Sequence, residues 1–325
     1  MVDVYFYEAF EEEVEALKSA LKSDVNAAFS WKTIQEQADP VPPARIISIR
    51  TQSIIPVSWA GHIEAVLTRS TGFEHLLDYE EKVKTSLKYG YLPLYCNRAV
   101  AEQACLLWMS LIRKLKLQME QFKSFERDGL TGQECEKKTL LVVGVGNIGS
   151  EVVRIGEGLG MRVLGVDIVK RFPSVNYVSI DEAILLADII VCAMNLTPEN
   201  RGYFNYSLLK KAKKGVIFVN IARGEMSPSA DLLTLIEEDH LGGLGMDVFN
   251  KEAELATLIR QGMKSEDREI QATSMLATKP NVVFTPHNAF NTRESVERKS
   301  QQSIEQIENY LKTGQFIWPV PGSLK

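Results

Sequence analysis

The 325 residues are 45% hydrophobic and 24% charged, enough apolar side chain to bury a sizeable core and to divide into two domains. Lysine and arginine number 37 against 42 aspartates and glutamates, a net charge of −5, and no block of like charge forms a tail or arm, which excludes a nucleic-acid grip by bulk charge. Cys96, Cys105, Cys135 and Cys192 include no CxxC pair and lie at no zinc-ligand spacing from a histidine, so they read as reduced thiols of a cytosolic protein without a structural metal.

The chain begins with MVDVYFYEAFEEE, which turns acidic before any apolar stretch long enough for a signal sequence, so no secretion is expected. Residues 2–7 and 45–49 read as short strands, with helical spacing of apolar residues between them. A further apolar run, Ile63 to Leu67, ends in Arg69-Ser70-Thr71-Gly72, a loop leaving a strand end. From Ala99 to Phe125 the apolar residues recur at helical intervals without proline or glycine, which predicts one long helix. Strands then alternate with helices: Thr139 to Val143, Met161 to Val166, Asp188 to Ala193, Val216 to Ile221, Gly243 to Val248 and Val282 to Thr285. The most apolar stretch, Ala183 to Leu196, is interrupted by Asp188 and too short to span a bilayer, so no membrane partner is expected. This rhythm predicts a doubly wound parallel sheet, with the pieces before about residue 100 and after about 290 forming a second domain.

The first strand of that series runs directly into Gly144-Val145-Gly146-Asn147-Ile148-Gly149 and then a helical pattern. Gly144 permits a tight turn, Gly146 admits a pyrophosphate close to the backbone, and Gly149 lets helix and strand pack closely, while the amides opening the helix face the anion. Asp167, 18 residues past Gly149 at the end of the next strand, stands where a carboxylate accepts the adenosine ribose hydroxyls. A carboxylate there repels a ribose 2′-phosphate and favours NAD over NADP, with Lys170 and Arg171 softening the preference.

Chemistry must come from the carboxyl ends of the later strands. Arg223, in Asn220-Ile221-Ala222-Arg223-Gly224, could grip a carboxylate with two parallel hydrogen bonds, although by position alone a surface or capping arginine fits as well. Glu252 follows Asp247 by way of a loop and reads equally as a solvated glutamate. His287 directly follows a strand and Pro286, a setting that neither His62 and His75, read as loop residues, nor His240, at the end of a polar helix, shares.

Together these blocks resemble the D-isomer-specific 2-hydroxyacid dehydrogenase family, in its D-lactate dehydrogenase-like branch. The resemblance is carried by Arg69-Ser70-Thr71-Gly72-Phe73, Ala99-Val100-Ala101-Glu102, the glycine turn, Leu196-Thr197-Pro198-Glu199-Asn200, Ala222-Arg223-Gly224, Asp247 with Glu252, and Thr285-Pro286-His287 with Ala289-Phe290. The 40 residues from Asp247 to His287 resemble the longer loop of that branch. The resemblance implies an α/β protein in which a Rossmann cofactor domain, 99–290, is inserted into a smaller flavodoxin-like substrate domain, 1–98 with 291–325.

It also implies roles. His287 would be the general acid/base and Glu252 its carboxylate partner, since a carboxylate beside an imidazole favours its charged, proton-donating form. Arg223 would bind the substrate carboxylate and stabilise charge developing on the keto oxygen. Thr71 and Gly72 would hold the other side of the carboxylate, and Tyr95 and Phe290 would line the pocket. Around NAD(H) the resemblance puts Gly144, Gly146, Asn147, Ile148, Gly149, Asp167, Met194, Asn195, Asn200, Ile221, Ala222, Arg223 and Asp247. Asn195 departs from the family, which mostly has proline there, and Lys251 sits where acidic or polar residues are common.

The expected function is reduction of a 2-keto acid to the D-2-hydroxy acid with NADH, reversible, in a homodimer built on the cofactor domain. Glyoxylate or phosphite remain alternative substrates of the same family. A corepressor that senses NAD(H) and binds partner peptides is the alternative from another class.

Overall fold

The computed structural model describes residues 2–22, 25–85 and 87–322. The chain divides into two compact units, Met1–Cys96 with Asn291–Lys325, and Asn97–Phe290.

The first unit opens with strand β1 (Val4–Phe6), helix α1 (Glu11–Ala20), β2 (Ala27–Phe29) and α2 (Ile34–Gln37), and continues through β3 (Ile46–Ile49), β4 (Ala65–Thr68), α3 (Glu74–Val83) and β5 (Lys88–Gly90). Three glutamates in the first turn of α1 complement its positive end. Thr33 and Glu36 close a reciprocal capping box on α2. The strands pair in parallel in the order β2-β1-β3-β4-β5, the flavodoxin-like order. Every residue of β3 and β4 is buried, as expected of strands covered on both faces, and Trp59, Ile47, Ile49, Val66 and Leu76 belong to the core.

The second unit starts with α4 (Asn97–Ile112) and α5 (Leu115–Gln121), where one long helix is predicted from the sequence. The helix breaks because Lys114 adopts a left-handed conformation, φ +53°. A distant segment compensates: the Gln133 amide takes the Ile112 carbonyl at 2.9 Å, and Lys114 Nζ donates to the Gly129 carbonyl at 2.7 Å. Nothing local announces the break, since neither glycine nor proline is involved. α5 buries none of its residues.

The chain then runs β6 (Thr139–Val143), α6 (Asn147–Gly158), β7 (Arg162–Val166), α7 (Ile180–Ile184), β8 (Ile189–Cys192), α8 (Tyr206–Leu209), β9 (Val216–Asn220), α9 (Ser229–Glu237), β10 (Leu241–Met246), α10 (Glu252–Gln261), α11 (Arg268–Thr278) and β11 (Val282–Phe284). The six strands are all parallel, in the order β11-β10-β9-β8-β6-β7. Beyond β7 the next position is reduced to a single parallel bridge, Gly165 to Tyr177. Leu141, Val143, Ile190, Phe218, Leu244 and Met246 build the core from the sheet side. α12 (Arg293–Thr313) returns the chain to the first unit and packs along α1. Thr292 caps its first turn and Gly314, φ +70°, ends it. Among the described residues no helix is long and apolar enough to cross a membrane.

Two local expectations are corrected. His75 lies in the first turn of α3, because the loop from Arg69 ends at Phe73, the residue capping that helix. Glu252 is the first residue of α10: Lys251 at φ +52° turns the backbone so that the helix begins immediately after the loop.

Candidate active site

The turn between β6 and α6 is shaped by close backbone approach. Gly144 has φ +91°, and a Cβ there would lie 2.6 Å from the Met194 amide nitrogen. At Gly149 a Cβ would fall 1.9 Å from the Gly144 carbonyl oxygen. Gly146 instead meets no atom within 4 Å, and as N-cap of α6 it gives no side-chain cap to the helix's first amides. Open space in front of the amides at the positive end of a helix fits a pyrophosphate. Asn147 and Ile148 supply the first turn, and Arg171 Nη1 donates to Asn147 Oδ1 at 3.5 Å.

Asp167 follows β7, and its carboxylate binds the turn itself. Oδ2 accepts from the Val145 amide at 2.6 Å and Oδ1 from the Val169 amide at 2.8 Å. Each oxygen keeps a lone pair for a ribose hydroxyl, so the residues present fit a dinucleotide. After β8 come Met194 and Asn195. Asn200 ties this loop back on itself, donating from Nδ2 to the Asn195 carbonyl at 2.7 Å and accepting the Thr197 amide at 2.8 Å.

Beyond β9, Ile221 and Ala222 are buried, and the turn that carries Arg223 is held by Asn220. This fully buried amide accepts from the Ala222 amide at 3.0 Å and donates to the Arg223 carbonyl at 2.9 Å and to Ser227 Oγ at 2.8 Å. Arg223 Nη1 donates to the Ala222 carbonyl at 2.7 Å. At Gly224 a Cβ would lie 1.9 Å from the Phe249 carbonyl carbon, so the Arg223 turn rests directly on the backbone leading from β10 to Glu252.

Asp247, 1% exposed, organises the histidine turn. Oδ1 accepts from Thr285 Oγ1 at 2.6 Å and the Asn288 amide at 2.9 Å, Oδ2 accepts from the Ala289 amide at 2.9 Å, and its carbonyl accepts the His287 amide at 2.8 Å. Burial raises the Asp247 carboxyl above its ordinary value, against the hydrogen bonds that favour its charged form. Gln103 on α4 supports Thr285 at 3.2 Å. These bonds hold His287 at φ +50°, a conformation non-glycine residues seldom adopt. Its Nδ1 lies 2.6 Å from Glu252 Oε1. A carboxylate accepts only, so Nδ1 carries the proton and Nε2 is the ring nitrogen that Glu252 does not hold. The Phe290 ring stands edge-on to the imidazole, with centroids 6.4 Å apart. Lys251 pairs with Asp267, which caps α11.

The remaining candidates lie in the first unit. Thr71 Oγ1 donates to the Leu92 carbonyl at 3.2 Å and sits 3.6 Å from Cys96 Sγ, and the Gly72 carbonyl accepts from Ser70 Oγ at 2.6 Å. Tyr95 is almost fully buried, and burial pushes its phenol well above the ordinary range. It is a neutral side chain of this unit's interior. Sequence reading quoted Asn220 and Thr285 only as parts of motifs and passed over Gln103 on α4, giving none of them a role, because nothing in their spacing marks a polar support.

Residues 105–289 match the model for "D-isomer specific 2-hydroxyacid dehydrogenase, NAD binding domain". D-lactate dehydrogenase of Escherichia coli K12 is 31% identical over 259 residues, 77% of each chain. An aromatic 2-oxoacid reductase of Clostridium sporogenes is 28% identical over 258 residues, 78% of this chain and 77% of that one. The crystal structure of D-lactate dehydrogenase from Aquifex aeolicus complexed with NAD and lactic acid superposes with a TM-score of 0.83 at 27% identity, covering 97% of this chain and 99% of that one. The glycine turn, the all-parallel sheets and these matches agree: the chain belongs to the D-isomer-specific 2-hydroxyacid dehydrogenase family, as an NAD-dependent enzyme of its D-lactate dehydrogenase-like branch.

Proposed function

We propose that the chain reduces a 2-oxo acid to the D-2-hydroxy acid with NADH, reversibly, with His287 as general acid/base. The observation that carries this reading is the 2.6 Å contact between His287 Nδ1 and Glu252 Oε1. Glu252 fixes the ring through Nδ1, leaving Nε2 to carry the proton that is transferred. When bound, NADH would supply the hydride taken up at the substrate's C2. As the C2–O π bond breaks, its electron pair moves to oxygen, and His287 Nε2 gives that oxygen its proton, leaving a neutral imidazole. Arg223 holds the substrate carboxylate and stabilises the charge growing on the keto oxygen. Thr71, Gly72, Tyr95 and Phe290 enter as substrate contacts through the resemblance.

The relatives named D-lactate dehydrogenase and aromatic 2-oxoacid reductase support a 2-oxo acid substrate. In the cofactor domain, Gly144, Gly146, Asn147, Ile148 and Gly149 are assigned the pyrophosphate and Asp167 the ribose; the loops at Met194, Asn195, Asn200, Ile221, Ala222 and Asp247 are assigned the rest of NAD(H). A homodimer is part of the reading, supported by exposed Leu115 and Met119 on α5 and Phe122, the residue that caps it, at helical spacing. So is a cytosolic enzyme, supported by four free cysteines.

The test is NADH consumption by the purified chain with a series of 2-oxo acids, with the product resolved by enantioselective chromatography. Turnover to the D-isomer is expected. Binding of NADH without turnover, or an L-product, would overturn the reading.

A further inference from the structure

We propose that Gln103 is a positioning residue for the reaction: its side-chain amide, delivered by α4, orients the Thr285 hydroxyl toward Asp247 and so holds the turn that carries His287. This rests on the reading of His287 as the proton donor. The argument lies within the second unit.

The placement begins with a register between α4 and β10. Side chains alternate along a strand, so Gly243, Gly245 and, just past the strand's end, Asp247 share one face. On α4, Gln103, Leu107 and Leu111 are spaced four apart and form one stripe. The glycines bring the two together. A Cβ at Gly243 would lie 3.2 Å from the Leu111 Cβ, and one at Gly245 would lie 3.0 Å from the Leu107 Cβ, so the missing side chains let the helix rest directly on the strand. Leu111 sits over Gly243 and Leu107 over Gly245. One more step of the same pairing brings Gln103 to the level of Asp247, with Thr285, from the end of the neighbouring strand β11, between them. Gln103 is the polar member of a stripe that is otherwise leucine.

The hydrogen bonds at that point run in one direction. Thr285 Oγ1 lies 2.6 Å from Asp247 Oδ1, and Gln103 Nε2 lies 3.2 Å from Thr285 Oγ1. A hydroxyl has one proton and a carboxylate only accepts, so that proton goes to Asp247, and the Thr285 oxygen is left to accept from the Gln103 amide. Amide, hydroxyl and carboxylate form a chain in which each bond strengthens the next. It ends on the group that takes the amides of Asn288 and Ala289 at 2.9 Å each, the two residues following His287. Run in reverse, the chain needs a proton on Asp247. Burial pushes the carboxyl toward that neutral form, and the Gln103 donor opposes it from the far end. Without that donor the Thr285 hydroxyl is free to turn away, and the backbone that keeps His287 at φ +50° loses part of its anchor. Misplacing an acid/base group lowers the rate more than it weakens binding.

The experiment measures kcat and KM of the full-length enzyme with NADH and the 2-oxo acid it turns over fastest, with rates taken per NADH-binding site. The variants are Gln103→Met, Gln103→Glu, Gln103→His, and Gln103→Met combined with His287→Ala. Methionine keeps the length without a donor, ionised glutamate keeps the shape but only accepts, and histidine offers an N–H at nearly the same reach. We expect kcat to fall about tenfold in Gln103→Met and at least as far in Gln103→Glu, with each KM changed less than about twofold, and Gln103→His to recover most of the loss. Because Gln103 acts through His287, Gln103→Met should slow the His287→Ala enzyme by less than about twofold. Four results would each overturn the proposal and leave the dehydrogenase reading standing: a Gln103→Met enzyme as fast as the native one, a loss carried by KM in place of kcat, a Gln103→His enzyme as slow as Gln103→Met, or an equal Gln103→Met loss with and without His287. A His287→Ala enzyme as fast as the native one, or no turnover of any 2-oxo acid, would bring down the reading of His287, and the proposal with it.

Discussion

The two units each contain a contact between a basic side chain and a glutamate, and they are built in opposite ways. In the second unit the side chains of His287 and Glu252 are 37% and 39% exposed, and their geometry comes from a backbone turn stitched to Asp247. In the first, the side chains of Glu13, Arg69 and Lys299 are between 0% and 3% exposed and interlock three segments distant in sequence. Burial alone would raise the Glu13 carboxyl, but Arg69 and Lys299 outweigh it and bring it down to about 2. Burial pulls the Lys299 ammonium down to about 8, against Glu13, which holds it up. A group that exchanges protons with a substrate needs access. A group that only holds strands in register is better sealed, where exchange is suppressed and removal of one partner leaves a stranded charge.

The sharpest way to break this contrast is to remove the imidazole. His287→Ala should lower kcat by about 10² to 10⁴ with little change in NADH affinity or in thermal midpoint, measured by steady-state kinetics, fluorescence titration and thermal unfolding. An unchanged rate would remove His287 from the chemistry.

The opposite signature is expected of the sealed cluster. Arg69→Met removes the donors to Glu13, Ser48 and the carbonyls of Tyr7 and Glu8, leaving these buried acceptors short, and should cost about 3 to 5 kcal/mol of stability in urea unfolding. Glu13 adds a pH dependence. Its folded value lies below its unfolded one, so its contribution is complete above the ordinary value of 4.5 and is lost as pH falls toward about 2. The stability gap between the native chain and Glu13→Gln should therefore shrink across that window, and a gap that widens on acidification would reverse the assigned sign.

Two smaller effects sharpen the comparison. Arg223→Lys should lower kcat/KM for a 2-oxo acid by about tenfold or more, since a point charge cannot reproduce the planar fork. Thr285→Val leaves Asp247 Oδ1 short of one donor and should cost about 1 to 3 kcal/mol, with a modest loss of kcat as the histidine turn loosens.

The contrast also explains what could be read from the sequence. Local features were legible: the strand-to-glycine turn whose Gly144 needs a positive φ, the acid closing β7, and a histidine placed directly after a strand and a proline. The parallel pairing of the sheets follows from buried, apolar strands alternating with helices. What depends on distant partners was not legible. The break at Lys114 is stabilised by Gln133 and Gly129, and Arg69, which sequence reading took only as part of a loop motif, finds its partner on α1. Asn220 and Asp247 look alike as polar residues at strand ends, yet one shapes the arginine turn and the other the histidine turn. Hydrogen-bond partners of this kind are fixed by packing, which periodicity does not encode.

The central claim, that His287 and Glu252 act as one proton-donating unit, is tested most directly by a double-mutant cycle in kcat/KM. If the pair acts together, Glu252→Gln should slow the native enzyme but add little to the loss already caused by His287→Ala. Losses that multiply in the double variant would show two independent roles and contradict the account.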